Sequence, residues 1–84
     1  MATTKIRLMN SRAVSQTLFL EPWAEEIILD AGDAILIKQE ANDGDPIEID
    51  AVDKGFVLHG HIFSQLRVYR QDQLIWQSYE APAI

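Results

Sequence analysis

Trp23-Ala24-Glu25-Glu26-Ile27-Ile28-Leu29-Asp30-Ala31-Gly32-Asp33-Ala34-Ile35-Leu36-Ile37-Lys38-Gln39-Glu40 is the stretch on which the fold turns. Ala24, Glu25 and Glu26 favour helix by intrinsic propensity, so a helix over Trp23–Leu29 is the nearest competitor to a strand. The residues that follow decide against it. Ile27, Ile28 and Leu29 form an aliphatic, partly β-branched run, which suits a pleated surface. It stops at Asp30-Ala31-Gly32-Asp33, a tight turn in which Gly32 is free to take positive φ. A second aliphatic run, Ile35-Leu36-Ile37, starts at once. The reading is strand, turn, strand, over Trp23–Asp30 and Ala34–Glu40. The unbroken run in the second strand predicts cover on both faces at its centre.

The same grammar extends outward. Ile6 and Leu8 alternate with polar residues over Lys5–Asn10, a half-buried strand. Asn10-Ser11-Arg12 reads as a turn, and Val14–Leu20 as a strand ended by Glu21-Pro22, since proline cannot donate to a ladder. After the polar loop Ala41–Asp45, Ile47–Val52 alternates again. Asp53-Lys54-Gly55 reads as a hairpin turn with glycine at a left-handed position. Phe56–Phe63 returns, and Leu66–Arg70 with Gln73–Gln77 closes a last hairpin around Gln71-Asp72. No stretch repeats apolar residues at helical spacing over three turns. Turn signals every eight to twelve residues predict an all-β domain: a small antiparallel β-sandwich or partly open barrel of seven to eight short strands. Residues 1–84 form one domain on this reading, with 79–84 a loose tail.

Leu20-Glu21-Pro22-Trp23-Ala24-Glu25-Glu26, the Ala31-Gly32-Asp33 turn and the closing hairpin around Val68–Trp76 resemble a family of small uncharacterised bacterial proteins. Those carry a Leu-Glu-Pro-Trp-Gly-Glu-Glu signature. The likeness spans roughly residues 17–76, and its specific part is the Pro-Trp segment. Here Ala24 stands where that signature has glycine, and Asp30-Ala31 where the family's Pro-Gly turn after the next strand has proline. The resemblance implies a single all-β domain and no particular activity.

Composition sets bounds on function. The 84 residues are 48% hydrophobic and 24% charged, with a net charge of −6 and no cysteine. Disulfides and thiolate metal sites are thereby excluded. The longest apolar run is far short of the roughly 20 residues needed to span a bilayer as a helix. The N-terminus lacks the apolar core of a signal peptide, so a cytoplasmic location is expected. A net negative charge repels phosphate, so no nucleic-acid partner is expected. The charge is uneven: residues 1–20 hold Lys5, Arg7 and Arg12 and no acid, whereas residues 21–53 hold eleven acids and only Lys38. Either the basic first strand lies beside the acidic middle within one fold, or an acidic face meets a cationic ligand or a neighbouring subunit's basic end.

Reactive constellations are few. His59-Gly60-His61 puts two imidazoles on one strand face, a spacing similar to the histidine pair of cupin metal sites. No glutamate or third histidine follows at cupin spacing, so Glu25 or Glu26 would have to supply oxygen, and zinc needs three or four ligands. Two half-exposed histidines on a sheet face are the plainer reading. Asn42-Asp43-Gly44-Asp45 with Glu48 lacks the ligand order of a calcium loop and reads as a solvated turn. Glu25 shares strand parity with Trp23, Ile27 and Leu29, which predicts a partly buried carboxylate paired with Arg67 or Arg70. Ser11, Ser15, Ser64 and Ser78 lack a nucleophile elbow. No phosphate loop or dinucleotide fingerprint is present.

These readings converge on a non-catalytic β module that self-associates, as a dimer, or binds a protein partner, with no cofactor and no membrane. Its expected interface is the C-terminal hairpin edge: Leu66, Val68, Tyr69, Leu74 and Trp76. The alternative is a cupin-like metal-binding or small, cationic ligand-binding domain built from Trp23, Glu25, Glu26, His59 and His61.

Overall fold

The structure is a computed structural model that describes residues 2–41, 47–60 and 64–78. Among these residues eight strands run in chain order: β1 (Ala2–Met9), β2 (Gln16–Glu21), β3 (Glu25–Leu29), β4 (Ala34–Ala41), β5 (Glu48–Val52), β6 (Gly55–His59), β7 (Gln65–Arg70) and β8 (Gln73–Gln77). They form two four-stranded sheets, β1-β4-β7-β8 and β3-β2-β6-β5. Two separate sheets make the fold a sandwich, the first of the two expected architectures.

Five of the six pairings are antiparallel. The sixth, β2 with β6, is parallel, with Thr17 beside Gly55 and Glu21 beside His59. Strand alternation carries no sign of this pairing, because parallel partners are joined by a long crossover, not by a local turn. Gly55 permits it. Its φ is +148°, and a Cβ there would lie 2.1 Å from the Thr17 carbonyl oxygen. The Lys54 carbonyl accepts from Thr17 N at 2.8 Å just outside the ladder.

The core lies between the sheets. Leu18, Leu20, Ile27, Leu29 and Leu58 come from one sheet, and Ile35, Ile37, Leu66 and Val68 from the other. Alternation is strict in β4, where Ile35, Ile37, Gln39 and Ala41 point inward and the residues between them are half-buried. Leu36 therefore faces outward, so the Ile35-Leu36-Ile37 run does not mark a strand covered on both faces. It marks a central strand, flanked by β1 and β7.

Trp23 is not part of a strand. The Glu21-Pro22 peptide is cis, Pro22-Trp23-Ala24 forms a turn, and Ala24 has φ +56°. The turn ends the parity between Trp23 and Glu25, whereas Glu25 itself pairs with Leu20 and keeps the alternation of Ile27 and Leu29. Glu25 is exposed at the start of β3. Arg67 contacts Glu40 at 3.4 Å, and Arg70 contacts Asp33 at 2.9 Å. Neither pairs with Glu25, whose position at a strand end leaves it in water.

At the opposite end of the sandwich, Asn10 is 2% exposed. Its Nδ2 donates toward the carbonyl oxygens of Val14, Leu29 and Asp30 at 2.9, 3.0 and 3.1 Å, and its Oδ1 accepts from Arg12 N at 3.0 Å. Its backbone N–H donates to Asp33 O, and its carbonyl accepts from Gly32 N. Asn10 thus ties the β1–β2 connection to the β3–β4 turn. Nearby, Arg70 Nη2 donates to the Ile28 carbonyl at 2.7 Å. That contact joins β7 of one sheet to β3 of the other.

Candidate functional site

Two places gather side chains of functional interest. The first is the end of the sandwich around Trp23. The indole lies over Gly60, where a Cβ would come within 2.4 Å of its ring. Trp23 meets Trp76 edge-on, with centroids 5.6 Å apart and planes at 65°. Gly60 N donates to Glu21 O at 2.8 Å, holding the chain after β6 against the start of that turn. So glycine 60 admits an aromatic ring. The pair is also a core element, since both rings pack against buried aliphatics.

His59 stands beside this end, on the outer face of its sheet. Its Nε2 meets Asp50 Oδ2 at 2.8 Å, with the two side chains 45% and 69% exposed. Glu48 and Glu21 flank it as cross-strand neighbours. Glu26 sits opposite Phe19, and Glu25 opposite Leu20, on the far side of β2 from β6. The structure therefore does not bring Glu25 or Glu26 to His59. Among the described residues no group of three histidine, aspartate or glutamate side chains could hold a metal ion. His61 lies outside the described residues, as does the polar loop at 42–46. An exposed His–Asp contact of this kind is a surface pair, worth little to stability. No hydroxyl or thiol among the described residues meets it.

The second place is the C-terminal hairpin and the outer face it borders. β8 is an edge strand. Gln71 and Asp72 both take positive φ, +50° and +64°, the backbone of a two-residue primed turn. Leu66 and Val68 are fully buried, so their side chains belong to the core and are unavailable to a partner. Alternation puts them on the inner face. Trp76 pairs with Val68 and is half-buried beside it. Tyr69 and Leu74 pair on the outer face. Leu74 and Ile75 are exposed. Among the described residues Ile75 has no cross-strand partner, because the register shifts between Val68 and Tyr69.

On that outer face, Lys5, Lys38 and Arg67 stand opposite one another on β1, β4 and β7. Lys38 Nζ lies 4.9 Å from the centroid of Tyr69, a cation–π contact. The next row holds Arg7, Leu36, Tyr69 and Leu74. An open hollow of about 300 Å³ beside it is lined in part by Arg7, Leu36, Tyr69 and Asp72. Sequence reasoning named Tyr69 and Leu74 here but missed the cations, which become one group only when three distant segments pair.

Compared with known families, curated proteins and solved structures, the chain matches none.

Proposed function

We propose that this chain is a non-catalytic β-sandwich module that works by protein–protein contact, and that the contact is with a second copy through the β8 edge. The observation that carries this reading is the pair Leu74 and Ile75, exposed side by side on an edge strand. Adjacent exposed aliphatics on an unpartnered edge are a liability in a monomer. Ile75 falls where the ladder is interrupted, and such a bulge disfavours strand-to-strand addition. The contact is therefore made by side chains. Trp76, next in the chain and edge-on to Trp23, stiffens the edge from within.

Light scattering across a concentration series tests this. The expected mass rises above the 9.5 kDa of one chain, and replacing Leu74 and Ile75 by serine lowers it. A wild-type mass that stays at one chain at the highest concentration reached would overturn the proposal.

A further inference from the structure

The chain is acidic overall, yet its charge separates by sheet. Alternation and the pairing registers place each outward side chain. Outside β1-β4-β7-β8 stand Lys5, Arg7, Lys38 and Arg67, with Glu40 the acid among them. Outside β3-β2-β6-β5 stand Glu21, Glu26, Glu48 and Asp50, with His59 beside Asp50. One broad face is cationic and the opposite one anionic.

The cationic face works against its own fold. Like charges directly opposite on neighbouring strands destabilise a sheet, and here three cations stand in one row. Arg67 is partly relieved by Glu40 at 3.4 Å and Gln65 at 2.9 Å, and Lys38 by Tyr69. Among the described residues, Lys5 and Arg7 have no ion-pair partner. The anionic face has a matching layout. Its middle row reads Glu26, Phe19, Val57, Asp50: two half-buried apolar residues flanked by acids. The cationic face offers the apolar row Leu36-Tyr69-Leu74 beside its row of cations.

We infer that the cationic sheet face is a docking surface for the anionic sheet face of a second copy of this chain. The two patches differ, so the contact is head-to-tail, and each added copy presents a fresh face of either sign. Such heterologous contacts do not close unless the rotation between copies happens to. The five- and six-residue strands of the anionic sheet span about 17–20 Å, and four of them at about 4.8 Å spacing give roughly 330 Å² of flat area per partner. Stable interfaces bury about 800 Å² per partner, so this one is transient and concentration-dependent. Complementary charge sets its register and its association rate. The inference does not rest on the β8 edge. An apolar edge contact is insensitive to salt, whereas this contact weakens as salt rises.

Sedimentation velocity of the full chain separates the two. The Ile75→Ser variant serves as background, because it blunts the edge and leaves both sheet faces whole. Runs at about 20 mM and about 300 mM salt span screening lengths of roughly 20 Å and 6 Å. The expected result is a mass that climbs with concentration at low salt and falls back at high salt. Lys5→Glu with Arg7→Glu makes both faces acidic, and Glu26→Lys with Glu48→Lys removes the anionic one. All four positions are exposed. Each double variant alone should associate at least about tenfold more weakly, as like charges are brought together. Mixed in equal amounts, the two should associate again, because one keeps the anionic face and the other the cationic face. Thermal melts confirm that both variants are folded. Salt-independent mass, a double variant that associates as strongly as its parent, or a mixture no heavier than its components would overturn the inference. Failure of the edge reading shows separately, as no change in the salt-resistant component on Ile75→Ser.

Discussion

Replacing Asn10 by alanine tests how the two turn-bearing ends of the sheets are held together. The backbone bonds of Asn10 to Asp33 and Gly32 survive the change. The side-chain bonds do not: the carbonyls of Val14, Leu29 and Asp30 lose a donor, and Arg12 N loses its acceptor. An amide has two N–H hydrogens, so the three carbonyls share them. The contact to Leu29 O is buried, and the others are partly open to water. A buried polar group left unpaired costs about 1–3 kcal/mol, and partly wet ones less. The expected loss is about 3 kcal/mol. A chain of 84 residues has a total stability on the order of 4–12 kcal/mol, so this loss is a large share of it. Urea unfolding followed by tryptophan fluorescence is the assay, since Trp23 and Trp76 lie at the other end of the sandwich and report global loss of structure. With a slope of about 1 kcal/mol/M, the midpoint should fall by roughly 3 M at unchanged slope. Asn10→Asp keeps the acceptor for Arg12 N but points an anion at three carbonyl oxygens, so it should be at least as damaging. A loss below about 1 kcal/mol for Asn10→Ala, or Asn10→Asp more stable than Asn10→Ala, would refute the role assigned to this side chain.

Three further expectations follow from backbone and core. Gly55→Ala puts a Cβ against the backbone of Thr17 at a φ that side chains avoid; it should cost more than about 3 kcal/mol, and a cooperative melt within a few degrees of wild type would contradict the β2–β6 geometry. Ala24→Gly relieves a left-handed residue at φ +56° and should stabilise by about 0.5–1 kcal/mol, a rise of roughly 2–8 °C in melting temperature; a fall would show that Ala24 does not take that conformation in solution. Gln39 is 1% exposed, and among the described residues its Nε2 has no hydrogen-bond partner, although its Oε1 accepts from Ser64 Oγ at 3.2 Å. Gln39→Met keeps the volume and removes the orphan donor, so it should change stability by less than about 1 kcal/mol, whereas Gln39→Ala should lose about 2 kcal/mol. Equal losses in the two variants, measured by denaturant unfolding, would show that Nε2 finds a partner after all.

Local chemistry made the strands legible. Alternation at Ile6 and Leu8, at Ile27 and Leu29, and at Ile47 and Ile49 depends only on neighbours two residues apart. The turns at Gly32, Gly55 and Gln71-Asp72 depend on single-residue φ preferences. These signals decided the class, the number of strands and most of their ends. They erred where a short segment leaves the regular pattern. Pro22-Trp23-Ala24 is a turn with a left-handed Ala24, so β3 starts only at Glu25, and that strand-end position leaves its carboxylate exposed although it shares the parity of Ile27 and Leu29. Leu36 sits in an apolar run yet faces outward, because the run reflects position at the centre of a sheet.

The candidate surfaces were legible only in part. Leu66, Val68, Tyr69, Leu74 and Trp76 were named together from one hairpin, but pleating splits them: Leu66, Val68 and Trp76 turn inward, while Tyr69 and Leu74 stay outside. Asn10 reads as one more turn asparagine, since nothing adjacent to it in the chain reports that Leu29 and Asp30 will fold over it. By itself the amino-acid order determined the pleated class of this protein, its hairpins and its excess of acid, because these follow from contacts between near neighbours. The assembly of strands decided the rest: the parallel β2–β6 pair, the burial of Asn10, and the sorting of Lys5, Lys38 and Arg67 to one face and Glu21, Glu26 and Glu48 to the other. Those depend on which distant segments pair and in what register, and a shift of one residue would have reversed every side chain from one face to the other.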